Sequence, residues 1–288
     1  MTAPHLVRTD HAPVLVVSGC EGATQRYRCW HALEQLQLRA VPARMVRQAS
    51  PELHEAALGC GVVVLHRVAW DPGIAALIQG VRDAGGIALF DIDDLVFDPA
   101  STRHHHGLAL LPPDERRLYH QGVRRYRRTL LACDGALAAT DELAERIRAL
   151  GRPAWVHRNV VDFEILRRSE DALAARRRAE AGGARADGRV VVGYASGSRT
   201  HDRDFAEAAA PAVGRLMARR PEVVLRIVGP LELGRGWDAL VAAGRVERIP
   251  AVDWRDLPAV LADLDVSLAP LEIHNPFCRA KSELKWLE

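Results

Sequence analysis

Short apolar runs alternate along the first half of the chain with stretches whose apolar residues recur every three or four positions, the pattern of parallel strands wrapped by helices. Pro13 to Ser18 (PVLVVS) predicts a first strand, ending in Gly19, Cys20, Glu21 and Gly22 before a helix that carries Trp30, Leu33 and Leu36. Gly61 to Leu65 (GVVVL) and Ile87 to Asp91 (IALFD) predict two more. Between them Ile74, Leu77, Ile78 and Val81 fall at i, i+3, i+4 and i+7, one face of a helix that Gly85 and Gly86 stop. A short strand at Gly135 to Ala139 leads through Thr140, Asp141 and Glu142 into a helix whose Leu143, Ile147 and Leu150 share a face, with Gly151 closing it. Trp155 and Val156 return to the sheet.

From Phe163 the pattern becomes an Arg/Ala/Glu-rich helix, then Gly182 to Gly188 (GGARADG), a polar stretch without hydrophobic period. The domain boundary is expected there, dividing the chain into residues 1–185 and 186–288. Alternation then restarts. Val190 to Tyr194 (VVVGY) is followed by a helix with Phe205, Ala209, Val213 and Leu216, then Val223 to Val228 (VVLRIV) running into Gly229 and Pro230. Val246 to Ile249, a helix with Leu257, Val260, Leu261 and Leu264, and a strand at Val266 to Ala269 complete the series. Two Rossmann-like α/β domains in tandem is the economical reading. The sequence stops at Glu288 inside a helical pattern with no capping residue, so the second domain is expected to be incomplete at its C-terminus.

Composition narrows the class. The 288 residues suit about two domains. With 48% hydrophobic and 26% charged residues the chain is globular. No apolar run approaches the ~18 residues of a spanning helix, and Met1 to Asp10 lacks the basic-then-apolar order of a signal peptide. Five cysteines (Cys20, Cys29, Cys60, Cys133, Cys278) with no CxxC pair read as small apolar residues in a reducing compartment, which suggests a cytoplasmic protein. A net charge of +2 and 5% aromatic residues argue against nucleic acid as a partner. Of the 39 basic residues all but Lys281 and Lys285 are arginines, which draws attention to those two positions.

Chemistry could gather at several places. Asp91, Asp93 and Asp94 lie at the carboxyl end of a predicted strand, where open α/β sheets bind ligands. Carboxylates this close repel and need a metal, an arginine or raised pKa values. Asp91-Ile92-Asp93 could be a metal-binding DxD. Leu89 to Val96 (LFDIDDLV) also resembles the nucleophile strand of haloacid-dehalogenase-type phosphatases, with Asp91 attacking and Asp93 as general acid, although Leu95 departs from that pattern. A third reading puts the knot on the acceptor side of a two-domain enzyme, and a plain turn cap is the alternative to all three. Gly193 to Phe205 (GYASGSRTHDRDF) follows the first strand of the second domain; its small residues, helix N–H groups, Arg199 and Arg203 would suit a phosphate or diphosphate. At the end of the chain, Lys281, Lys285 and Glu288 fall at i, i+4 and i+7, a polar helical stripe beside Leu284 and Leu287. His104, His105 and His106 cannot readily converge on one ion and read as a flexible loop. Six arginines between Arg116 and Arg128 make a basic helix that could rest on anionic lipid or simply present a solvated face.

Taken in order, these features resemble the GT-B glycosyltransferases of family 4, the group 1 transferases. Asn159-Val160-Val161-Asp162 is similar to that family's Asn-Gly-Val-Asp signature, with Val160 replacing the glycine. Cys133 to Leu143 (CDGALAATDEL), Ile227 to Pro230 (IVGP) and Asp265 to Leu271 (DVSLAPL) resemble the strands and turns that flank the family's site. The resemblance implies retaining transfer of a sugar from a nucleotide-sugar co-substrate to a glycan or lipid-linked acceptor, as in cell-envelope polysaccharide synthesis, without an essential metal or other cofactor. It places the donor on the second domain, at Gly193, Ser196, Gly197, Arg199, His201, Arg203, Gly229, Asn275, Lys281, Ser282 and Lys285. Arg28 and Asp94 fall on the acceptor side, and Asp91, Asp93 and Glu288 near the reacting atoms. Glu288 matches the second glutamate of the family's E-x7-E motif. Ala280 stands where the first belongs, leaving Asn275 or Glu283 to substitute. A protein of this kind would work in the cytoplasm, with peripheral contact to the inner face of the membrane through Arg116 to Arg128. The alternatives are the phosphatase and a nucleotide-sugar-binding fragment without catalytic activity.

Overall fold

A computed structural model describes residues 13–183 and 187–288. The reading of Met1 to Asp10 and the middle of the polar stretch, 184–186, lie outside the described residues. Six strands, β1 (Val14–Ser18), β2 (Ala43–Arg47), β3 (Val62–His66), β4 (Ile87–Ile92), β5 (Gly135–Ala138) and β6 (Ala154–Val156), form a parallel sheet in the order β2-β1-β3-β4-β5-β6. Four more, β7 (Val190–Ala195), β8 (Val223–Val228), β9 (Val246–Ile249) and β10 (Val266–Ser267), form a second parallel sheet in the order β10-β7-β8-β9. Helices connect successive strands in both, so each sheet is the core of a Rossmann-like α/β unit, as the alternation predicts.

Burial explains why the central strands were visible in sequence. Leu15, Val17, Val63 and Leu65 are fully enclosed, because a parallel sheet is covered on both faces and its inner strands read as continuous apolar runs. β2 escapes that pattern: it is an edge strand, and of Ala43–Arg47 only Val46 is buried. The helix Pro72–Asp83 behaves as its periodicity requires. Asp71 caps it by accepting from the Ile74 N–H at 2.9 Å, Ile74, Leu77, Ile78 and Val81 are buried, and Gly85 follows its end at φ +79°.

Three helical expectations change. The helix after β1 contains a π-helical turn, Arg26–Trp30, between Ala23–Gln25 and His31–Gln37. The wider turn buries Arg28 and Cys29 and leaves Trp30 half exposed, whereas α-periodicity put Trp30 with Leu33. The segment around Ala209 is two helices, Asp202–Ala208 and Ala210–Arg219, because Pro211 lacks the N–H a continuous helix needs there. Finally, 281–288 is not one helix: Pro276–Arg279 and Leu284–Leu287 are separate turns. Lys281, Lys285 and Glu288 therefore do not form the expected helical stripe.

The described residues divide into two compact units. The first runs to Thr102 and takes in Pro112–Val160 and Ala280–Ser282; the second comprises Arg103–Leu111, Val161–Arg279 and Glu283–Glu288. The polarity break placed the boundary after residue 185, but the helix Phe163–Ala181 packs within the second unit. There Arg176 donates to the Ala262 carbonyl at 2.8 Å and to Asp265 at 2.6 Å. A solvent-facing helix rich in arginine carries no pattern that reports which sheet it covers.

Candidate functional site

In the first unit β2 lies on one side of β1 and β3 on the other, so the winding reverses between β1 and β3. The carboxyl ends of strands at such a reversal form the crevice where these folds bind ligands. Here they deliver Ser18 to Cys20, His66 and Arg67, and Asp91 to Asp94. Asp91 is 1% exposed and fully engaged. Arg28 grips it bidentately, Nε to Oδ1 at 2.9 Å and Nη2 to Oδ2 at 2.5 Å, while His66 Nδ1 donates to Oδ1 at 2.8 Å. The same arginine donates through Nη1 to the His157 carbonyl at 2.5 Å and to Asn159 Oδ1 at 3.0 Å. Asn159 in turn donates to Ser282 Oγ at 2.8 Å.

The electrostatics follow from this geometry. Burial by itself would push the Asp91 carboxyl up, but Arg28 and His66 hold it well below the usual carboxylate range. Burial likewise disfavours a His66 imidazolium, yet the hydrogen bond and charge of Asp91 prevail and raise it to about 9. All three groups are charged at neutral pH. Asp93 and Asp94 are met by one cation, since Arg67 donates from Nε to Asp93 at 2.8 Å and from Nη2 to Asp94 at 2.7 Å. Arg67 makes this contact from φ +46°, a left-handed conformation that costs a non-glycine residue about 1–2 kcal/mol. Of the three ways to relieve the carboxylate cluster, the chain uses arginine. Asp91 is thus held by Arg28 and His66, and Asp93 and Asp94 by Arg67.

In the second unit the corresponding edge is the end of β7, between β8 and β10. Gly229 stands at φ +95°, and a Cβ there would overlap the Ser196 carbonyl oxygen. The turn after β8 thereby closes onto the loop after β7, where the Ser196 N–H donates to the Val228 carbonyl at 2.9 Å and Ser196 Oγ to Ser198 O at 2.8 Å. Gly197 is open to solvent in that loop. Gly193 serves packing inside the strand instead, since a side chain there would collide with Leu264. Lys285 Nζ donates to the Ala195 carbonyl at 2.6 Å and lies 4.5 Å from the Tyr194 ring centroid, which fixes an ammonium at the carboxyl end of β7.

A second polar set gathers nearby in the same unit. His201 Nδ1 meets Asp204 at 2.8 Å, and Cys278 Sγ donates to the buried Asp204 at 3.2 Å. Arg203 pairs with Glu272 at 3.2 Å and reaches His106 Nδ1 at 3.2 Å. Asn275 Nδ2 donates to the His104 carbonyl at 3.0 Å, and His105 packs edge-on against Phe277 at 4.5 Å. The histidine run is thus not a loose loop; Pro99–His104 and His106–Leu110 are 3₁₀ turns, and Arg103–Leu111 is built into the second unit. Of the other expected donor residues, Arg199 is half exposed and paired with Asp202, and Glu288 follows the last helical turn. Lys281 and Ser282 belong to the first unit, which the Thr140 hydroxyl anchors by donating to the Ala280 carbonyl at 3.1 Å.

No family model matches the sequence, and no curated protein matches it. Solved structures do resemble the chain at low identity. An alpha,alpha-trehalose 6-phosphate synthase from Burkholderia multivorans superposes at a TM-score of 0.48 and 12% identity, covering 91% of this chain and 77% of its own. A UDP-GlcNAc 2-epimerase from Neisseria meningitidis, bound to UDP-GlcNAc, superposes at 0.48 and 12%, covering 88% and 76%. A UDP-forming trehalose-phosphate synthase from Burkholderia xenovorans, in complex with glucose-6-phosphate, gives 0.46 and 12%, covering 93% and 83%.

Four residues of these clusters do not stand out in the sequence: His66, Arg67, Asp204 and Glu272. His66 and Arg67 had a usable signal, since they end the apolar run of β3 as Asp91 ends that of β4, and parallel neighbours bring strand ends together. Asp204 and Glu272 had less, because beside a local partner each they meet groups distant in sequence, Cys278 for Asp204 and Arg203 for Glu272.

Proposed function

We propose that this chain is a glycosyltransferase of the GT-B, family 4 kind. It would hold a nucleotide-sugar donor at the carboxyl edge of β7 and present a glycan or lipid-linked acceptor from the first unit. The observation that carries the reading is the pairing of Lys285 on the Ala195 carbonyl with the adjacent Ser196 to Ser198 turn, closed by Gly229. A compact, fixed ammonium beside small residues and backbone N–H groups suits a diphosphate, and such groups stabilise the charge that develops on the leaving group as the glycosidic bond breaks. The ordered sequence motifs supply the second support. Retention of configuration, transfer without a metal and cell-envelope acceptors belong to the same proposal.

Thermal-shift titration with UDP, GDP, ADP and their sugars, with and without EDTA, tests it. One nucleotide diphosphate is expected to raise Tm and to do so equally in EDTA. Lys285→Ala is expected to weaken that nucleotide about tenfold or more, in line with loss of a charge-assisted hydrogen bond of about 1.5–3 kcal/mol. No shift with any nucleotide, or full affinity in Lys285→Ala, overturns the reading.

A further inference from the structure

The reversal point between β1 and β3 holds a set of side chains separate from the donor residues at the end of β7. Gly19 donates from its N–H to the His66 carbonyl at 2.8 Å, and a side chain at Gly19 would overlap the Arg67 carbonyl. That approach seats Cys20 over the end of β3. His66 is 0% exposed and gives one ring nitrogen to Asp91; the other, Nε2, has no hydrogen-bond partner among the described residues, and His66 acts on the Cys20 thiol. A buried ring nitrogen left without a partner is costly and asks for a reason. Cys20 itself is partly exposed, whereas the other four cysteines are buried, and its Sγ lies 3.1 Å from Thr24 Oγ1.

We propose that Cys20, His66 and Asp91 form a thiolate–imidazolium–carboxylate set that makes Cys20 a site of oxidation by hydroperoxides. In the reaction with hydrogen peroxide the Cys20 sulfur attacks one peroxide oxygen, an S–O bond forms and the O–O bond breaks. The departing hydroxide takes the proton from His66 Nε2 and leaves as water. Sulfur loses two electrons, the peroxide gains them, and Cys20 becomes a sulfenic acid. Asp91 and Arg28 are positioning residues: Asp91 fixes the ring and keeps it charged, and Arg28 keeps Asp91 ionised.

The electrostatic surroundings agree. Burial would raise the Cys20 thiol, but His66, Thr24 and Arg67 outweigh it and the thiol is lowered. The other groups facing the set are Asp93 beyond β4, Cys29 on the π turn and Tyr126 from the helix Pro113–Ala132. Burial pushes the Cys29 thiol far up and the Cys133 thiol to about 12, so neither competes as a nucleophile.

The test is the pH dependence of Cys20 alkylation by iodoacetamide in the intact, folded chain, read by peptide mass spectrometry, together with dimedone trapping after hydrogen peroxide. A free thiol of pKa about 8.5 alkylates roughly a hundredfold more slowly at pH 6 than at pH 8.5. Cys20 is expected to fall off less steeply than that over the same range and to give the dimedone adduct ahead of the other four cysteines. His66→Gln is expected to restore the steep profile. A steep profile in the wild-type protein, absence of the adduct, or a flat profile in folded His66→Gln overturns the proposal. If His66→Gln does not fold, the wild-type profile decides, and Thr24→Val provides a milder variant expected to steepen it. None of these readouts depends on nucleotide binding.

Discussion

Arg28 is among the largest fully buried side chains of the described residues. It is enclosed, always charged, and committed to Asp91, Asn159 and the His157 carbonyl at once. Arg28→Ala strands a buried carboxylate and is expected to cost about 3–5 kcal/mol in a urea titration, whereas Arg28→Met with Asp91→Asn together should recover much of that loss. The pH dependence of stability follows from the same pair. The folded-state pKa of His66 is raised, so its stabilisation is complete below about pH 6.5 and disappears as pH climbs through about 9. Asp91 is lowered, so its contribution holds above pH 4 and fails only as acid reaches its depressed pKa. Tm should therefore decline between pH 7 and 10, and a Tm that rises over that interval would contradict a charged His66. Gly229→Ala, forced to keep φ +95° against the Ser196 carbonyl, is expected to lose about 1–2 kcal/mol or more and to weaken nucleotide binding in the same thermal-shift assay. In the sequence Asp91 was legible as a carboxylate at a strand end that demanded a cation. Which cation was not: Arg28 lies 63 residues away among 37 arginines, and nothing local distinguishes it.

The helix Pro113–Ala132 illustrates how far a charge pattern can be read. Arg125 donates to the Trp70 carbonyl at 2.7 Å and Arg128 lies over the Trp70 ring at 4.5 Å, so these two serve packing within the first unit. Arg116 and Arg124 have no acidic partner among the described residues, and with Pro113, Arg117 and His120 they line an open depression of about 360 Å³. If this face meets anionic lipid, Arg116→Glu with Arg124→Glu should abolish sedimentation with phosphatidylglycerol vesicles at low salt and leave the far-UV spectrum unchanged. Equal sedimentation of the double variant would remove lipid contact from the proposed function. Among the described residues no helix is long and apolar enough to cross a membrane. Elsewhere, element type was readable wherever burial imposed a period, as in Pro72–Asp83 or β8. It was not readable where one face met solvent, as in β2, or where tertiary contacts broke a regular pattern. Ala280 to Ser282 is the clearest example, since Thr140 and Asn159 draw it out of helical geometry.

The alternation of strands and helices announced two α/β units, and the two parallel sheets are what the structure contains. Their membership was less accessible, because it depends on short segments that return. Arg103–Leu111 belongs to the second unit although the first resumes at Pro112, and Ala280–Ser282 belongs to the first although the second resumes at Glu283. A fragment of residues 161–288 would thus lack His104, leaving the buried Asn275 amide without that acceptor, a loss of about 1–3 kcal/mol for one bond alone. That fragment is expected to melt at lower temperature and less cooperatively than the same region within the intact chain, as calorimetry would show. The returning segments also bear on ancestry. Enzymes with two separable halves can trade one half for another by recombination at the connecting linker, acquiring a new donor or acceptor in one step. In this chain such an exchange would carry off the histidine-bearing turn that Arg203, Asn275 and Phe277 hold. An exchange at the linker alone would therefore leave the second unit without those contacts.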